Sequence, residues 1–142
     1  MNRLLDSDVD ERLRSAGIAV TLQRLAIAQV MLTEPIHLSA DQLLARVKAV
    51  VPETSRATVY NTLKLFRDKG LVRELIVDAE RTVFDSNTSA HYHLYDADTG
   101  QVTDICADEL QVIGTPHLPD GLELEEVDVI IRVRGKRATG VV

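Results

Sequence analysis

The chain reads as an α+β fold, in which three helices lead into a β-hairpin and a second, smaller sheet follows. Three observations predict it. Apolar residues at helical spacing, each run opened by a capping residue, recur three times before residue 70. Two strand-like runs then flank the polar stretch Asp78–Glu80. After residue 90 the pattern changes to short strands around a glycine-ended turn.

The first of the three helices is Thr21-Leu-Gln-Arg-Leu-Ala-Ile-Ala-Gln-Val-Met-Leu32, with Thr21 able to cap its first turn and Pro35 beyond its end. The second starts from Ser39, sets Leu43, Leu44 and Val47 on one face, and stops near Val50-Val51-Pro52. The third starts from Ser55 and closes at Gly70, which suits the left-handed position at a helix end. Leu71–Val77 and Arg81–Phe84 then form the hairpin. Helices followed by such a hairpin predict a winged helix over residues 1–84. The polar stretch 85–90 reads as a hinge, and 91–142 as a small α/β domain. In that domain His91–Tyr95 and Gln101–Ile105 flank the turn Asp96–Gly100, and the β-branched run Val127–Val133 joins the same sheet. Arg3, Arg12 and Arg14 read as the solvated face of a first helix.

Composition narrows the function. The 142 residues are 45% hydrophobic and 27% charged, as in an ordinary globular protein. No apolar run is long enough to cross a bilayer, and the start MNRLLDSDVDERLR is too acidic and polar for a signal peptide, so a cytoplasmic protein with no membrane partner is expected. The single cysteine, Cys106, excludes an internal disulfide and a CxxC zinc clamp, leaving histidine and carboxylate for any metal chemistry. The net charge of −6 is unevenly spread. Residues 1–84 carry 12 Lys/Arg against 11 Asp/Glu, for +1, and residues 85–142 carry 4 against 11, for −7. A polyanion would meet the N-terminal half first.

On the third helix Val59, Leu63 and Phe66 fall at i, i+4 and i+7 and face the core. The other side presents Arg56, Tyr60, Lys64 and Arg67 as a stripe, with Thr58 and Asn61 beside it. Cations can neutralise phosphates or bond guanine edges, Asn61 can pair with an adenine edge, and Tyr60 can touch a thymine methyl. A charged stripe alone is more often a solvated helix face. Its place on the last helix before a hairpin is where helix-turn-helix proteins carry their recognition helix, which tips the reading to double-stranded DNA.

A second constellation concerns metal. His91 and His93 are two apart on a strand and project from one face, Asp85 lies just upstream, Asp104 lies on the paired strand and His37 lies in the linker between helices. Three imidazoles and two carboxylates suit Fe(II) or Mn(II), whereas structural zinc prefers thiolates and fewer ligands. Zn(II) remains an ion that the isolated protein could carry. His37 sharing an ion with the others makes that ion a clasp between the two halves. In a two-fold dimer the clasp would set the separation of two recognition helices on a palindromic operator.

The strings Ala19-Val-Thr-Leu-Gln-Arg24, His37-Leu-Ser-Ala-Asp41, Ser55-Arg-Ala-Thr-Val-Tyr-Asn61 and Phe84-Asp85 with His91-Tyr-His93 resemble the ferric uptake regulator (Fur) family, over residues 10–134. The resemblance is greatest to its peroxide-sensing, PerR-like branch, whose three histidine and two aspartate ligands match His37, Asp85, His91, His93 and Asp104. It implies a homodimeric repressor rather than an enzyme. It also implies that a ferrous ion reacts with peroxide and a ligand histidine is oxidised, His37 and His91 being the candidates. Two departures stand out. The paired CxxC motifs that hold structural zinc in many members are absent, with Asp96 and Thr99 where the first pair would fall, so no structural zinc is expected. Tyr92, Gln111 and Val127 occupy ligand positions of the family's additional site, which leaves one metal per subunit. An Irr-like iron- or haem-responsive regulator is the alternative within the family, weakened by His-Tyr-His in place of three histidines. Outside it, a non-haem iron oxygenase would use similar ligands but would need a substrate pocket and no basic stripe. A metal-storage role fits one ion per subunit poorly.

Overall fold

The computed structural model describes residues 3–78, 80–88, 92–106 and 108–137. The chain divides into two compact units, Met1–Thr88 and Ser89–Val142.

The first unit runs α1 (Arg3–Ser15), α2 (Leu22–Leu32), β1 (His37–Leu38), α3 (Ala40–Lys48), α4 (Arg56–Asp68), β2 (Arg73–Asp78) and β3 (Arg81–Asp85). The three expected caps form. Thr21, Ser39 and Ser55 each accept a hydrogen bond from the backbone N–H three residues on. Ser39 goes further, because the Gln42 side-chain oxygen accepts from the Ser39 backbone N–H and completes a capping box. Ser39→Ala should lower the stability of this unit by about 1 kcal/mol, read as a lower urea midpoint with unchanged slope. An unmoved midpoint would mean the box contributes nothing.

At the far end of α4, Leu71 N–H donates to the Phe66 carbonyl at 2.9 Å and Gly70 N–H to the Arg67 carbonyl at 3.0 Å. Gly70 takes φ 77, as this closing motif requires. Val59, Leu63 and Phe66 are fully buried and pack with Ile27, Met31, Leu43 and Val47. The helix therefore turns one face inward and leaves the basic stripe outward. The first helix contributes more than a solvated face. Val9 and Leu13 enter the same core, and Arg12 Nη1 donates at 2.6 Å to the Leu32 carbonyl, in the last turn of α2. A cation there satisfies an orphan acceptor and meets the negative end of the helix dipole.

The wing is a three-stranded antiparallel sheet in the order β1-β3-β2. His37, expected in a linker, instead starts the two-residue strand β1, in which it pairs with Asp85 and Leu38 pairs with Phe84. Two residues are too few to show an alternating pattern in sequence.

In the second unit β4 (Tyr92–Asp96), β5 (Val102–Ile105) and β6 (Ile130–Val133) form a sheet in the order β5-β4-β6. β5 pairs with β4 antiparallel and β6 pairs with β4 parallel. The β4–β5 turn is held by Asp96 Oδ1, which accepts from the N–H groups of Asp98 at 2.9 Å and Thr99 at 3.2 Å. Asp98 Oδ2 accepts from Gly135 N–H at 2.8 Å, tying the turn to the chain after β6. Residues 108–129, between β5 and β6, are irregular. Among the described residues no helix is long and apolar enough to cross a membrane.

Candidate metal centre and recognition helix

Each unit contains a histidine facing an aspartate across an antiparallel ladder. In the first, His37 on β1 and Asp85 on β3 are register partners, with Nε2 and Oδ2 3.2 Å apart. The Asp85 side chain is fully buried and that of His37 nearly so. Asp85 Oδ1 accepts from Asn87 N–H at 2.9 Å, so one carboxylate oxygen is held by backbone while the other meets the imidazole. In the second unit His93 on β4 and Asp104 on β5 are likewise register partners. Their Nε2 and Oδ1 lie 3.6 Å apart, with His93 buried and Asp104 a third exposed. His91 lies outside the described residues.

These pairs have the chemistry of ligand pairs. Two donors about 2.1 Å from a common ion and set at right or tetrahedral angles lie about 3.0–3.4 Å from each other. The His37–Asp85 separation falls in that range and the His93–Asp104 separation just beyond it. A fully buried carboxylate also calls for compensating charge or hydrogen bonds. The imidazole and the Asn87 amide supply part of that; a divalent cation would supply more. A nitrogen-and-oxygen donor set without thiolate suits Fe(II) or Mn(II).

The stripe on α4 is not uniform. Arg56 is bound to Asp41 on α3, with Nε 2.9 Å from the carboxylate and Nη2 closer still. Its pKa is raised by that hydrogen bond and by the charge on Asp41. Arg67 donates to Glu74 on β2 and to Asp68, and the hydrogen bond to Glu74 is the main cause of its raised pKa. Thr58 belongs to the helix cap, its hydroxyl accepting from Ser55 Oγ at 2.9 Å and its N–H donating to the same oxygen at 3.1 Å. Tyr60, Asn61 and Lys64 are exposed, and the Lys64 ammonium lies over the Tyr60 ring, 5.0 Å from its centre. The outward face thus holds an aromatic-stacked lysine and an amide, flanked by two arginines already engaged with carboxylates. Asp41 and Glu74 were invisible as participants in sequence, since each meets its arginine only through tertiary packing. Ser86 lies in the polar stretch 85–90 that the sequence marks only as a hinge, and its bonds to Ile36 likewise exist only in the folded chain.

Known proteins resemble this chain in sequence and in fold. Residues 15–132 match the model of the ferric uptake regulator family. The peroxide-responsive repressor PerR of Staphylococcus aureus strain Mu50 is 37% identical over 101 residues, covering 71% of this chain and 68% of that protein. Among solved structures, the ferric uptake regulator from Pseudomonas aeruginosa with manganese superposes with a TM-score of 0.64 at 27% identity, covering 90% of this chain and 98% of that one. The Vibrio cholerae ferric uptake regulator gives a TM-score of 0.68 at 26% identity, covering 89% and 98%.

Proposed function

Given that this chain belongs to the ferric uptake regulator family, we propose that it is a metal-dependent, DNA-binding transcriptional repressor that senses hydrogen peroxide. Residues 1–84 bind DNA, the hinge falls within 85–90, and 91–142 sense metal and hold the homodimer. His37, Asp85, His91, His93 and Asp104 together bind one Fe(II) or Mn(II) per subunit. Zn(II) is an ion the isolated protein can also take, and no structural zinc is needed.

The observation that carries this reading is the repetition of one device: a cross-strand histidine–aspartate pair in each unit, each offering an imidazole nitrogen and a carboxylate oxygen. Ligands drawn from both units let occupancy bias how the units are held, and an ion that favours one arrangement shifts DNA affinity by its differential binding alone. Ferrous iron at such a site would supply reduction of peroxide, with His37 or His91 as the imidazole oxidised. The 37% identity to a peroxide-responsive repressor supports peroxide as the signal, and the missing CxxC pairs leave the second unit's packing to hold the dimer.

On DNA, α4 enters the major groove of a palindromic operator. Asn61 and Tyr60 face base edges, while Lys64, Arg56 and Arg67 meet phosphates or guanine, with Thr58 at the helix start. The cytoplasm is the place for such a regulator. The test is binding of the full chain to promoter DNA with Mn(II), with Fe(II), and with Fe(II) followed by dilute peroxide, each sample then read by peptide mass spectrometry. Loss of binding only after iron plus peroxide is expected, with one added oxygen on the peptide holding His37 or His91. Metal-dependent binding that survives peroxide would remove the peroxide role and leave the metal-dependent repressor.

A further inference from the structure

We infer that Ser86 is a positioning residue for the metal centre, locking the segment before β1 onto β3 so that His37 is held opposite Asp85. The inference rests on the reading of His37 and Asp85 as ligands. Strand β1 has only two ladder pairs, His37 with Asp85 and Leu38 with Phe84. A strand that short does not hold its own register. Ser86 extends the grip one residue beyond the ladder. Its N–H donates to the Ile36 carbonyl at 3.1 Å, and its Oγ accepts from Ile36 N–H at 2.8 Å. The same hydroxyl lies 3.2 Å from the Glu34 carbonyl and 3.4 Å from that of Ile36, so its single proton has an acceptor either way.

The lock is placed directly beside both ligands. Ile36 precedes His37 in the chain and Ser86 follows Asp85, so one clasp fixes the backbone next to each. Without the hydroxyl, Ile36 N–H loses its partner and residues 34–36 gain freedom that metal binding must then remove. Groups that orient ligands without touching the ion typically change metal affinity about 10–100-fold. Ser86 acts at the lower end, because its backbone bond to Ile36 survives substitution.

The experiment is a Co(II) titration of the full chain, following the ligand-field absorption of the bound ion, for the parent, His37→Ala, Ser86→Ala, Ser86→Thr and Ser86→Val. Ser86→Ala and Ser86→Val should weaken Co(II) about 10-fold and alter the absorption envelope, while Ser86→Thr, which keeps the hydroxyl, stays within about threefold of the parent. Thr and Val have nearly the same volume, so their difference isolates the hydroxyl even where the metal-free melting points shift together. Co(II) binding by the Ala and Val variants like the parent, with His37→Ala defective, overturns the role of Ser86 and leaves the metal centre standing. Binding by His37→Ala like the parent overturns both.

Discussion

Replacing Asp85 by alanine is expected to leave a folded protein whose affinity for promoter DNA no longer rises when Mn(II) is added. In the parent, the coupling between metal and DNA should lie in the usual range for linked sites, about 5–150-fold in affinity. The variant should show essentially none of it. Asp85 is fully buried, meets His37 with one oxygen and is capped on the other by Asn87 N–H. Truncation therefore removes the proposed ligand and orphans an amide, a loss of about 1–3 kcal/mol that a folded domain survives. Asp85→Asn separates the two effects, since its amide oxygen can still accept from Asn87 but carries no charge. Asn should recover stability without recovering the metal response. Fluorescence anisotropy on a labelled promoter fragment, with and without Mn(II), reads the outcome. A parent-sized gain in either variant would show that Asp85 is not a ligand.

The second large effect is expected at Lys64. Charge reversal to glutamate should abolish DNA binding at physiological salt while leaving melting temperature and metal binding unchanged. The reasoning starts from the unequal state of the stripe. Arg56 and Arg67 are held by Asp41, Asp68 and Glu74, so a phosphate must compete with a carboxylate for each. Lys64 is exposed and stacked on Tyr60, which holds its charge outward without neutralising it. In a two-fold dimer the substitution acts twice. Loss of one phosphate contact per subunit should lower the salt slope of binding by about 2, and repulsion should reduce affinity further, beyond about 100-fold. Lys64→Gln should give the slope change with a smaller loss. Parent-like binding by Lys64→Glu would remove α4 from the DNA interface, whatever the fate of the metal reading.

How much of this was legible in the sequence depends on whether the determinants were local. Thr21, Ser39, Ser55 and Gly70 act on backbone within a few residues of themselves, so the helix ends could be read directly. The inward face of α4 could be read too, because the spacing of Val59, Leu63 and Phe66 specifies a face before any partner is known. Strand β1 could not, being too short for a pattern and existing only because β3 offers it a ladder. The role of α1 was half legible: Val9 and Leu13 are four apart, but the charged residues around them mask the apolar stripe. For the candidate site, the residue types and the His-Tyr-His spacing were visible. That each aspartate stands in register with a histidine is a property of the folded ladders. The pairing of Arg56 with Asp41 and of Arg67 with Glu74 follows the same rule, since sequence displays charges and only packing decides which are already matched.

The parallel pairing of β6 with β4 has a consequence in time. As the chain leaves the ribosome, β4 and β5 can join as a hairpin once residue 105 has emerged, but β6 must wait for the whole irregular segment 108–129. Closing so long a loop is slower than zipping a hairpin. The helical unit, with its mostly sequential contacts, can be complete before β6 is synthesised. The first unit is therefore complete while the second sheet still lacks an edge strand, and whatever depends on that edge forms after it.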